Sequence, residues 1–189
     1  MRRVRMLAFG LGIVGGVIFE SPVAAGAWTA GTNLGVGVLS SSEPGGNNQV
    51  TVSWPIGASV VGPFQPGLRL GYVFDDDENE LFVNTSLDFV GSNGQSLTIT
   101  SNSLNFQHAL RSGDVSPYFD AGAGLISEGG TGSTQYDWTF GAGTGLRRMV
   151  SSGHGALRAE VRADVLSTTL GQSALYNVGL QLGFDLWFK

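Results

Sequence analysis

The sequence predicts an all-β fold: an eight-stranded antiparallel, up-and-down transmembrane β-barrel. Three observations carry this expectation. Two long stretches near the C-terminus alternate between apolar and polar residues, the chain is rich in glycine and poor in Lys and Arg, and the connections alternate in length.

Within residues 156–165, Leu157, Ala159, Val161, Ala163 and Val165 fall in one phase, and Arg158, Glu160, Arg162 and Asp164 in the other. Successive side chains of a strand point to opposite faces, so one face is apolar and the other charged. Helical spacing would scatter these charges around a cylinder. In residues 176–188, Tyr176, Val178, Leu180, Leu182, Phe184, Leu186 and Phe188 share a face, opposed by Asn177, Gly179, Gln181, Gly183, Asp185 and Trp187. A strand this long exceeds the usual globular five or six residues and suffices to cross a bilayer, which takes about nine to eleven tilted residues. The polar faces show Gly, Asn, Gln and mixed charge, which suits the crowded interior of a small barrel.

Composition narrows the function classes. The 189 residues suit one domain, and 30 of them are glycine. With no cysteine, neither a disulfide framework nor a Cys-ligated metal is available. Ten Lys and Arg against fifteen Asp and Glu leave a net charge of -5, which argues against nucleic acid as a partner. The body of the chain has no run of 18 apolar residues, so spanning helices are not expected, whereas a barrel needs only alternate residues to touch lipid.

Residues 1–27 read as a signal peptide. Arg2, Arg3 and Arg5 precede an apolar run, and small residues around Ala25 and Ala27 offer cleavage sites, with the cut after Ala27 favoured and residues 28–189 forming the barrel. Strands are then expected over 28–39, 68–74, 81–89, 104–111, 117–126, 136–149 and the two stretches above. Residues 49–56 alternate as well and are taken as part of a long first outer loop or an extension of the first hairpin. Long connections (40–66, 91–101, 128–135, 168–174) alternate with short ones (75–79, 112–116, 151–155), as in outer-membrane barrels with short periplasmic turns and longer external loops.

Several stretches carry a resemblance: Leu68-Arg69-Leu70-Gly71-Tyr72, residues 117–125, Phe140-Gly141-Ala142-Gly143 and residues 182–188. The chain resembles the small outer-membrane β-barrel proteins of the eight-stranded OmpA-like and OmpX-like group. The resemblance implies outer-membrane lipid and the barrel-assembly machinery as partners. It also implies a C-terminal assembly signal ending in an aromatic residue, here Tyr176, Phe184, Leu186 and Phe188, with Lys189 following as a small departure.

The inward phase collects Arg69, Arg111, Arg147, Arg158 and Arg162 against Asp88, Asp120, Asp137, Glu160, Asp164 and Asp185. Charges removed from water persist when paired and hydrogen-bonded, so this near balance predicts a lumen plugged by a salt-bridge network. A narrow ion path is the alternative. Trp28, Tyr118, Tyr136, Trp138, Trp187 and Phe188 are expected at the membrane interfaces.

Catalytic and cofactor signals are weak. The Gly10-Leu11-Gly12-Ile13-Val14-Gly15 match to a dinucleotide fingerprint lies in the signal segment without a strand–turn–helix setting. No nucleophile-elbow motif occurs. His108 and His154 have no second histidine nearby for metal ligation and are not expected in an outer loop, where a lipid-modifying Ser/His/acid group would sit. Residues 75–78 form an acidic turn without EF-hand spacing, so no metal is assigned. The expected role is structural or surface-interactive, with no enzyme activity and no cofactor. The alternatives are a small pore, a lipid-modifying enzyme and a secreted ligand-binding barrel of lipocalin kind.

Overall fold

The computed structural model describes residues 26–42, 46, 48–53, 67–74, 77–92, 95–129, 134–167 and 174–188. Residues 1–25 of the expected signal segment, with the glycine fingerprint in them, Asp75, Asp76 and residues 54–66 lie outside the described residues. The strands are β1 (Ala27–Ser41), β2 (Gln49–Ser53), β3 (Leu68–Phe74), β4 (Asn79–Ser92), β5 (Gln95–Ala109), β6 (Val115–Gly129), β7 (Thr134–Val150), β8 (Gly155–Ser167) and β9 (Leu175–Phe188). A 3-10 turn, Ser151–Gly153, links β7 to β8.

Among the described residues all pairings are antiparallel: β1 pairs both β2 and β3, β3 to β9 pair in sequence order, and β1 pairs β9 from Trp28 to Ser41 to close the barrel. Nine strands make an eight-strand wall because β2 and β3 share one edge of β1. β2 lies along Gly35 to Leu39, and β3 along Ala27 to Thr32. The alternation at residues 49–53 is thus an extension of the first hairpin.

Two expected outer loops are shorter than the sequence suggested. β4 and β5 pair out to Ser92 and Gln95, and β6 and β7 out to Gly129 and Thr134. Residues 95–103 and 127–129 read as loop because their side chains are mostly polar or glycine. A ladder, however, is held by backbone hydrogen bonds that do not require an apolar face.

The register defines the barrel's geometry. Stepping across paired residues from Trp28 leads through Tyr72, Leu81, Phe106, Ala121, Ala142, Ala163 and Val178 and back to β1 at Val38, ten residues above the start. With a rise of ~3.3 Å per residue and ~4.8 Å between strands, eight strands with this stagger tilt by about 40°. The climb from Trp28 to Val38 then covers roughly 25 Å, the height of the apolar band on an outer-membrane barrel.

The outward face is largely apolar, with Thr85 and Asn102 as polar exceptions between β4 and β5. Trp28, Leu70, Val83, Phe106, Leu146, Val161, Leu182 and Phe184 are all exposed, although each is a residue that burial would favour. A broad apolar exterior of this kind marks a surface for lipid. Trp28 and Tyr72 stack edge to face, centroids 5.1 Å apart, near the end with the short turns, while Trp138 and Tyr136 stand exposed toward the other end. Tyr118 and Trp187 differ from expectation. Both are buried in the interior, because they fall in phase with Asp120 and Asp185 rather than with the lipid-facing residues.

Candidate functional site: the charged interior

The interior is layered. At the end with the short turns, Ala27, Val73, Ala156 and Trp187 form an apolar cluster with Met149 against it. At the opposite end Leu39, Ile126 and Leu166 form another, with Ile99 and Leu175. Between them lie charged and polar side chains from every strand of the wall except β2, held by contacts across the barrel.

Arg69 on β3 donates to Glu80 Oε2 on β4 at 2.7 Å and to Gln107 Oε1 on β5 at 3.2 Å. Thr29 Oγ1 adds a bond to Glu80 Oε1 at 2.7 Å, and the Arg69 guanidinium lies over the Phe82 ring, 3.3 Å from its centroid. Arg158 on β8 engages Asp185 on β9 with two bonds, Nε to Oδ2 at 2.5 Å and Nη2 to Oδ1 at 3.1 Å. The same Nη2 reaches Asn33 on β1 at 2.6 Å. This planar fork matches a carboxylate in a way lysine cannot.

One layer up, Arg162 donates to Asp164 Oδ1 at 2.7 Å, Asp120 Oδ1 at 2.9 Å and Asn105 Oδ1 at 3.1 Å, and lies 3.6 Å from Glu160. Tyr118 hydroxyl donates to Glu160 Oε2 at 2.9 Å. The Arg162–Asn105 bond runs from β8 to β5, nearly across the barrel's diameter, past β6 and β7. Glycine makes room for it: a Cβ on Gly141 would strike the Asp164 carboxylate, and one on Gly143 the carboxylates of Glu160 and Asp120. Beside this layer a polar cavity of about 40 Å³ is lined by Asn84, Ser101, Ser103, Thr139, Arg162 and Gln181. That volume holds about three waters.

The structure therefore brings Arg69, Asp120, Arg158, Glu160, Arg162, Asp164 and Asp185 into ion-pair contact. Asp137 is buried near the far end, and Arg147 is buried near the short turns with its guanidinium 5.1 Å from the Trp187 ring centroid. The Asp88 side chain lies outside the described residues. Arg111 is a correction: it is exposed beyond the end of β5, where its Nε donates to Val115 carbonyl at 3.1 Å. The strand period stops at Ala109, so the phase that would have turned Arg111 inward no longer applies. Sequence reading missed Glu80, which is buried and completes the Arg69 pair, because it was assigned no place in a strand. Its phase with Phe82, Asn84 and Ser86 was the available signal. His108 shares a hydrogen bond with Asn79 at 2.9 Å and packs on Phe119; His154 caps the 3-10 turn. Tyr176, Phe184, Leu186 and Phe188 all stand exposed on the outer wall of β9.

No protein-family model matches the sequence, and a comparison with curated proteins finds no match. Among solved structures the chain is similar to Neisserial surface protein A, at 14% identity and a TM-score of 0.57, with 85% of this chain and 97% of that one covered. The chain has the fold of an eight-stranded outer-membrane barrel. Looser likenesses, which carry no weight at their TM-scores, are to Ail, the attachment invasion locus protein of Yersinia pestis (12% identity, 86% and 100% covered, TM-score 0.44), and to the N-terminal β-barrel domain of Pseudomonas aeruginosa OprF (14%, 82% and 97%, 0.42).

Proposed function

We propose that this chain is exported by its N-terminal signal segment and resides in a bacterial outer membrane as a closed barrel, with a structural or surface-interaction role exercised through its outer loops. The observation that carries the closed-lumen reading is the Arg162 bridge from β8 to Asp120 on β6 and Asn105 on β5. A guanidinium held by three acceptors in the middle of an eight-strand lumen obstructs solute passage, and the apolar clusters at both ends oppose water entry by dewetting. The cavity of about 40 Å³ beside the Arg162 layer is too small for a solute path. In this reading the short turns face the periplasm, outer-membrane lipid covers the apolar wall, and Tyr176, Phe184, Leu186 and Phe188 are read by the barrel-assembly machinery. In this reading the role is non-enzymatic: His108 shares a hydrogen bond with Asn79 and packs on Phe119, and His154 caps the 3-10 turn.

Alkaline carbonate extraction, gel mobility with and without boiling, and planar-bilayer recording test this. Retention in the membrane pellet, a mobility shift only on boiling and no steady conductance are expected. A soluble, unshifted protein would sink the membrane reading, and a persistent open-channel current would sink the closed-lumen reading alone.

A further inference from the structure

Threonines on the lipid-facing phase of the wall satisfy their hydroxyls locally. Thr32 donates to Gly67 carbonyl at 3.3 Å, Thr144 to Tyr118 carbonyl at 2.9 Å, and Thr85 to Asn102 Oδ1 at 2.8 Å. Asn102 differs. Its side chain is exposed, its oxygen takes the Thr85 bond, and its Nδ2 amide has no acceptor among the described residues. This amide also stands at hydrocarbon depth. Asn102 is opposite Thr85 on β4 and Leu125 on β6, and Leu125 is opposite Trp138 on β7. The wall climbs roughly 25 Å over eight such steps, about 3 Å each, so Asn102 lies about 6 Å below Trp138, inside the aromatic rim. Exposed Val83, Leu87, Leu104 and Leu125 surround the Thr85–Asn102 pair. An amide left unpaired among acyl chains is costly, because lipid tails offer no acceptor.

We propose that Asn102 marks a self-association face, through which two copies of this chain meet side by side in one membrane along β4, β5 and β6. A carboxamide is both donor and acceptor. A two-fold axis through this patch therefore lets each Asn102 Nδ2 donate to the partner's Asn102 Oδ1, the self-complementarity that a symmetric dimer requires. Side-chain hydrogen bonds of this kind join membrane-embedded segments where the hydrophobic effect gives no help. Beside Asn102 a groove of about 570 Å³, lined by Leu104, Ala123, Leu125, Tyr136 and Trp138, receives the apolar ring of the second copy. The proposal rests on the membrane reading of the wall.

The test is energy transfer between donor- and acceptor-labelled full barrels in phosphatidylcholine vesicles, over a series of protein-to-lipid ratios. Transfer above the random-proximity level, saturating with protein density, is expected. Asn102→Leu combined with Thr85→Val should raise the dissociation constant roughly tenfold or more, and Leu180→Ala on β9, across the barrel, should leave it unchanged. The chain has no cysteine, so single-cysteine variants map the face independently. Leu104→Cys and Leu125→Cys should crosslink to dimers on oxidation, and Leu180→Cys should not. Inserted protein that stays monomeric at every density overturns the interface and leaves the membrane reading intact, whereas failure to insert overturns both. Dimers that persist unweakened in the double variant, or that crosslink as readily through Leu180→Cys, also overturn it. Monomers whose Asn102 side-chain amide resonance moves only on adding lipid with amide-linked hydroxyacyl chains give the patch to a lipid and overturn dimerisation.

Discussion

Arg158 and Asp185 face each other inside the barrel as a bidentate pair, Nε to Oδ2 at 2.5 Å and Nη2 to Oδ1 at 3.1 Å, with both side chains 2% exposed. They lie on adjacent strands at a register offset of one pair: Ala156 is opposite Asp185, and Arg158 is opposite Gly183. The glycine leaves the arginine room to lean along the strand toward the carboxylate; a Cβ on Gly183 would meet the Asn33 side chain and the Arg158 guanidinium. Removing Arg158 alone strands a buried carboxylate. Arg158→Met should therefore lower unfolding stability by about 3–5 kcal/mol, read from urea denaturation of the refolded barrel in micelles. The double variant with Asp185→Leu should recover most of that loss, and a single-variant cost below 1 kcal/mol would contradict a desolvated pair.

Gly143 sits where Glu160 and Asp120 converge, so Gly143→Ala forces those carboxylates to move. A loss of about 1–3 kcal/mol is expected by the same assay. Ala142→Val, one residue away on the exposed face, should change stability little.

The lipid-facing wall predicts a depth profile. Leu182 is exposed on β9 near mid-height of the band, while Leu110 is exposed beside the short turn that follows β5. Leu182→Arg should cost about 2–4 kcal/mol in a bilayer and Leu110→Arg about 0–1 kcal/mol, measured by chemical denaturation in vesicles. Equal costs at the two sites would be inconsistent with a membrane-spanning wall.

Wild-type protein should show no steady current in planar bilayers. Arg162→Ala should remain closed, because the Leu39, Ile126 and Leu166 cluster still bars the outer end. Arg162→Ala combined with Leu166→Ser should admit water and small ions. Conductance in the single Arg162 variant would assign closure to the bridge alone.

Ala27 is fully buried in β1, opposite Val73 and packed with Ala156 and Trp187. Cleavage after Ala27 would remove that contact, which favours the cut after Ala25. The mass of the mature protein should thus correspond to a chain starting at Gly26, and a start at Trp28 would show that the barrel tolerates losing the residue.

The sequence was most legible where two periods coincide. Leu157 to Val165 and Tyr176 to Phe188 assign every side chain to lipid or lumen, because a strand has only two faces and only one can meet hydrocarbon. The same phase placed Arg69, Asp120, Asp137, Arg147, Arg158, Glu160, Arg162, Asp164 and Asp185 inside, among the described residues. It lost its power wherever polarity no longer distinguishes inside from outside. The extension of β5 back to Gln95 reads as loop in sequence, and Arg111 lies past the point where its strand ends.

Residue order by itself thus determined a long-stranded membrane barrel, its lipid face and most of its buried charges, since alternation is a local property of each strand. Pairing between those charges was settled by the closure of the wall. A stagger of ten residues around eight strands brings Arg162 to Asn105 and Arg158 to Asn33, residues 57 and 125 positions apart. Neither contact follows from spacing within a strand, because each depends on the summed register of all the strands between them.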